Sequence, residues 1–164
     1  MRTLPLRTDF SPESFAPFGA VIERPLEAGE RRYYSSWLGA SSAACAPVFH
    51  TNRVQPTALP ALVRRMERHP HAAQAFVPLS VDRYVVTVAA SDDDGAVDTA
   101  RMEAFLVPGH LGVIYRPGVW HAGASVLGRE GSFAVLMWRG EADDDVFVDI
   151  EPVTLAAKPC GEAV

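Results

Sequence analysis

Thirteen prolines and twelve glycines punctuate this chain of 164 residues, and they fall at the ends of short apolar runs. Proline removes a backbone donor and clashes inside a helix, so a chain broken this often cannot build a bundle of long helices. What it can build is short strands joined by turns. The clearest is Tyr84–Ala89, β-branched and closed by the turn-forming run Ser91-Asp92-Asp93-Asp94-Gly95. Gly19–Glu23, Gln74–Leu79, Gly112–Tyr115, Phe133–Trp138 and Val146–Ile150 read the same way. Ala61–Arg68 fits either element: Leu62, Val63 and Met66 sit at helical spacing, while its neighbours point to a strand. One short helix is expected near the start, with Ser11 as its cap, Pro12 in its first position and Gly19 beyond its end. Many strands and few helices imply a sandwich or barrel. No repeat or linker interrupts the pattern, so residues 1–164 are expected to form one domain.

Composition narrows the function classes. A hydrophobic fraction of 48% supplies a core and argues against disorder. The net charge of -5, with arginines interrupted by acids, argues against a phosphate-backbone partner. No apolar run is long enough for a membrane span or a signal peptide. Cys45 and Cys160 match no metal or redox spacing, so two free thiols in a cytoplasmic protein are expected. Asp143-Asp144-Asp145 lacks the alternating oxygens of a Ca²⁺ loop and reads, like Asp92–Asp94, as a solvated turn.

Two segments carry chemistry. In Glu67-Arg68-His69-Pro70-His71, the two histidines are two residues apart, and on an extended chain they face one side; Gln74 follows after a turn. In Gly112–His121, glycine and the Pro117-Gly118 pair make a tight turn that presents His121 beside the first segment. Imidazole nitrogens converging from two strands, with an oxygen donor, are what a divalent transition metal needs. His121 alone would read as a satisfied core histidine; the order of the two segments favours a functional role. His50 and His110 lie near loop signals and read as surface residues.

Together the segments resemble the two motifs of the cupins, a His-x-His segment followed by Gly…Pro-Gly-x-x-His. More specifically, Thr51–Pro56, Glu67–Pro70, Gln74–Pro78, Ala104–Leu106 and Gly112–His121, including Val119-Trp120-His121, are similar to the ureidoglycolate lyase family. The resemblance implies a cupin-like double-stranded β-helix (a jelly-roll barrel) with a few short helices. It also implies a homodimer, a divalent metal that is nickel in some members, and cleavage of ureidoglycolate to glyoxylate and urea in allantoin breakdown. Ala122 stands where some members have a second histidine, and Trp138 precedes Arg139 where some have aspartate. These departures leave open another metal-dependent cupin enzyme acting on a small hydroxy or keto acid, or a non-catalytic cupin that binds one.

The candidate ligands are therefore His69, His71, Gln74 and His121. Tyr115 or Glu67 would handle the proton in that case, and without a metal His69 or His121 would be the base. Arg53 or Arg116 would hold the substrate carboxylate through its planar fork, or is simply a surface residue. Trp120 would line the substrate site as a rim aromatic or belong to the core.

Overall fold

A computed structural model describes residues 2–40 and 42–157. The elements run β1 (Arg2–Pro5), α1 (Pro12–Phe15), β2 (Gly19–Ile22), β3 (Ala46–Val54), β4 (Ala61–Arg68), β5 (Gln74–Ser80) and β6 (Arg83–Ala89). They continue with β7 (Glu103–Pro108), β8 (Gly112–Tyr115), β9 (Trp120–His121), β10 (Ser125–Leu127), β11 (Gly131–Arg139) and β12 (Val146–Ala156). The first sheet has the order β1-β12-β4-β9-β6-β10, with β7 on the other edge of β6. The second has the order β2-β8-β5-β11-β3. The two curl towards each other into a half-barrel, an all-β fold of cupin-like form.

Every strand read from the sequence is present, and Ala61–Arg68 is a strand throughout. It pairs with β12 on one side and β9 on the other, and cross-strand pairing overrides local helical spacing. Ser11 caps α1 through a capping box with Ser14, and Pro12 opens the helix. Cys45 is a free thiol; Cys160 lies outside the described residues.

Alternation along the strands builds the two largest cores of the described residues. Tyr84, Val86 and Val88 face inward, where Phe105, Val113, Tyr115 and Phe133 meet them between the sheets. Phe15 from α1 closes one end, fully buried, edge-on to Phe105; such a side chain contributes about 1.5–3 kcal/mol. The opposite residues of the first sheet, Met66, Val85, Ala89 and Trp120, form a second core with Leu4 and Leu155. No described helix is long and apolar enough to cross a membrane.

Candidate metal centre

The turn before β9 explains how His121 reaches its place. Pro117 and Gly118 occupy the centre of a β-turn closed by the Val119 N–H donating to the Arg116 carbonyl at 3.2 Å. Gly118 has φ 79°, the left-handed conformation that a type II turn needs at this position and that glycine adopts without cost. The Gly118 N–H also donates to the His69 carbonyl at 2.8 Å, pinning the two histidine segments together through their backbones. His121 is then cross-strand partner to both Glu67 on β4 and Val88 on β6. Since neighbours on a strand alternate, Glu67 and His121 face the barrel interior while Met66 and Trp120 face the second core. Gln74, opening β5, and Tyr115, closing β8, pair across the other sheet.

Four acceptor atoms converge here. His69 is buried; its Nδ1–H donates to the Asp144 carbonyl at 3.1 Å, and its Nε2 is buried with no hydrogen-bond partner. His121, 1% exposed, donates Nδ1–H to the Val119 carbonyl at 3.0 Å. Its Nε2 faces Gln74 Oε1 at 3.0 Å and Glu67 Oε1 at 3.3 Å. One ligand atom each from Glu67, His69 and His121 lies within 4.8 Å of the others. Electron pairs meeting this way need a positive centre among them: a second proton on His121, or a metal cation. The orphaned His69 Nε2 cannot be satisfied by a proton on His121, and two nitrogens with carboxylate and amide oxygens suit a borderline divalent transition ion. The residues fit such an ion.

The electrostatics agree. Burial pushes the Glu67 carboxyl up, but the hydrogen bond with His121, the charges of His121 and His69, and Arg139 outweigh it and hold the group below its ordinary value. Burial, reinforced by His121, pushes His69 below the usual imidazole range, leaving it neutral and able to ligate. Tyr115 stacks on His121 at 4.1 Å and 13°; burial pushes its phenol well above its ordinary value. A cavity of about 180 Å³ opens beside the cluster, lined by Arg65, Met66, Glu67, His121, Gly123 and Phe147. It is smaller than the roughly 300–1,000 Å³ of drug-sized pockets and suits a small acid.

The chain matches the family model described as ureidoglycolate lyase over residues 1–158. It belongs to the ureidoglycolate lyase family. A protein named ureidoglycolate lyase from Burkholderia cepacia is 37% identical over 133 residues, covering 76% of this chain and 73% of its own length. One from Rhizobium etli is 35% identical, covering 75% and 77%. One from Brucella melitensis is 34% identical over 140 residues, covering 80% and 81%.

Against that family background, the structure brings together Glu67, His69, Gln74, Tyr115 and His121 and separates the other candidates from them. His71 does not share a face with His69, because the chain between them is a turn at Pro70 and not a strand. Its Nε2 pairs with Asp143 Oδ1 at 2.7 Å. Trp120 points into the second core under the Arg68 guanidinium, 4.6 Å from its ring. Arg53 pairs with Glu130 and lies opposite Ser132, well along β11 from Leu136, which pairs with Ala75 beside Gln74. Arg116 is exposed and stacks over Trp37 at 5.0 Å. The cavity's arginine is Arg65, whose Nε donates to Asp149 Oδ1 at 2.7 Å. The signal for it was alternation: two residues before Glu67 on a strand, Arg65 shares its face. Asp143–Asp145 is not a free solvated turn either, since it packs against His69 and His71.

Proposed function

We propose that the protein cleaves ureidoglycolate to glyoxylate and urea at the Glu67–His69–Gln74–His121 cluster. The observation that carries this is the convergence of four buried or half-buried acceptors at a small cavity, in a chain of this family. The substrate carbon bears a hydroxyl, a carboxylate and the ureido nitrogen. Cleavage breaks the C–N bond, turns C–OH into C=O, and moves one proton from oxygen to nitrogen. One acid–base group is therefore enough.

Glu67 is that group. It touches both the cluster and the cavity and is held ionised, so it accepts the hydroxyl proton. A carboxyl with a depressed pKa is, once protonated, a strong acid towards the departing nitrogen, and it returns the proton there. Tyr115, kept protonated by burial, is no base at neutral pH. A divalent ion, nickel by resemblance, would be held by His69, His121 and one oxygen of Glu67 with the Gln74 amide oxygen, and would supply a Lewis acid for the substrate hydroxyl. Arg65, anchored at Nε by Asp149, turns the end of its guanidinium to the substrate carboxylate. The test is a coupled assay for glyoxylate release with added Ni²⁺ and with chelator. Glu67→Gln is expected to lower kcat by about 10²–10⁴-fold. No release by the parent under any metal would overturn the activity.

A homodimer fits the outer face of the second sheet. Phe49 is 70% exposed and Leu79 59%; with Val77 they stand beside Leu136 and Trp138, on a sheet whose edge strand β3 is nine residues long. An apolar face at a long free edge is covered by a second copy in a two-fold arrangement. The cytoplasm is the compartment consistent with an enzyme of small-acid catabolism.

A further inference from the structure

The run Asp143-Asp144-Asp145, between the end of β11 and the start of β12, gives each of its residues a separate task beside the cluster. Asp143 Oδ1 takes the His71 imidazole at 2.7 Å. Asp144 braces the turn: its carboxylate accepts from the Gly140 N–H at 2.6 Å and the Glu141 N–H at 3.1 Å. Its carbonyl accepts from His69 Nδ1–H at 3.1 Å. Asp145 Oδ1 lies 2.9 Å from the same nitrogen, buried and with no hydrogen bond of its own, while its Oδ2 takes the Arg139 guanidinium.

A nitrogen facing two acceptors at these distances must carry a hydrogen. With Nδ1 so committed, the lone pair of a neutral ring lies on Nε2, the buried atom that has no hydrogen-bond partner, and that atom is the one His69 has left to offer the cluster it forms with Glu67 and His121. We propose that Asp145, clamped by Arg139, is a positioning residue: it fixes the tautomer and ring angle of His69 so that Nε2 ligates the cation of the cluster. Arg139 leaves β11 at its last residue and Asp145 immediately precedes β12. Their ion pair therefore staples the mouth of this turn, one strand from each sheet, behind the ring. The Asp144 carbonyl holds the same hydrogen, and the Asp145 carboxylate adds a negative charge 2.9 Å from Nδ1 that a backbone carbonyl lacks, favouring the Nδ1–H form further. This role rests on the metal reading of the site.

The test uses the full chain, metal-free and with Ni²⁺. In ¹H–¹⁵N correlation spectra of the histidine rings, the metal-free parent is expected to show His69 as the Nδ1–H form with an unprotonated Nε2. Asp145→Ala should give a mixture of ring forms and weaken Ni²⁺, measured by competition with a fluorescent chelator, by about 10–100-fold. Asp145→Asn can give its single amide oxygen to only one partner; the Arg139 guanidinium takes it, the amide NH2 then faces Nδ1, and the variant should show the mixed ring forms and weakened Ni²⁺ of Asp145→Ala. Arg139→Met removes the clamp together with a positive charge that Glu67 feels, so it is read by its ring spectrum, which should show the mixture of forms seen in Asp145→Ala. Circular dichroism confirms that each variant is folded. A folded Asp145→Ala protein with the parent ring form and Ni²⁺ affinity within about twofold of the parent would overturn the proposal. If the parent itself binds no Ni²⁺, the metal reading falls, and the ring spectra of the metal-free proteins still decide whether Asp145 sets the tautomer.

Discussion

Replacing His121 by alanine removes a ring that is 1% exposed and that contacts Tyr115, Gln74, Glu67 and the Val119 carbonyl. The stack on Tyr115, 4.1 Å between centroids, accounts for about 0.5–1.5 kcal/mol. Gln74 Oε1 loses its partner at 3.0 Å, and its amide nitrogen has only a 3.8 Å contact to the Met137 sulfur; a buried acceptor stranded in this way costs about 1–3 kcal/mol. Glu67 loses its partner too, but it lines the open cavity and rehydrates, so little is added for it. The expected destabilisation is roughly 2–4 kcal/mol, which for a chain of this size lowers Tm by about 4–16 °C. Thermal unfolding in chelator measures it without any contribution from bound metal. The same variant is expected to lose Ni²⁺ binding and glyoxylate release together, at temperatures where it remains folded. A protein whose Tm falls but whose Ni²⁺ binding and turnover track the folded fraction would mean that His121 is only a core residue. Unchanged Tm and full turnover would refute the packing and the chemistry alike.

Arg65→Lys keeps the charge but loses the two-nitrogen end of the fork, so KM should rise by the equivalent of about 1–3 kcal/mol with little change in kcat, and Arg53→Lys should leave both unchanged. His69 sets a pH dependence: its folded pKa is depressed below 6.5, chiefly by burial. On acidification the unfolded chain takes up that proton first, and stability in chelator should fall as the pH drops below about 6.5, a fall that His69→Gln should flatten. His71 works with the opposite sign, since its hydrogen bond with Asp143 raises its pKa above 6.5; its contribution is present below that pH and fades as the pH rises through the raised value. Phe49→Glu places a charge in the uncovered sheet face and should convert a sedimenting dimer to a monomer; a parent that already sediments as a monomer would remove that interface.

The strands that could be read from the sequence are those whose apolar, β-branched character agrees with their surroundings, such as Tyr84–Ala89. Those that escaped are held by pairing and not by composition. β3 carries Pro47, His50, Asn52 and Arg53, and it is a strand because nine of its residues register against β11. β1 is four residues, two of them Arg2 and Pro5, and exists through its parallel pairing with β12. Edge strands need little intrinsic preference when a long partner supplies the ladder.

At the site, the histidine segments were legible because Pro117-Gly118 dictates its own turn, and a turn can be read without knowing what lies beside it. No single period runs through this segment: the strand ends at Arg68, Pro70 sits in a turn, and His71 leaves the face of His69. Arg65 lines the same cavity as Glu67, while Leu62, Val63 and Met66 carry a helical spacing that hides the strand. Glu67 joins the ligand cluster for a reason no local pattern contains: its cross-strand partner is His121, fifty-four positions further along. The acidic turn differs from a solvated one for a related reason. Three consecutive aspartates look solvated wherever no partner is known, and their partners, His69, His71 and Arg139, lie on other elements or across the turn. Charged groups in a row are read by their own hydration; whether they stay hydrated is decided by what the fold sets against them.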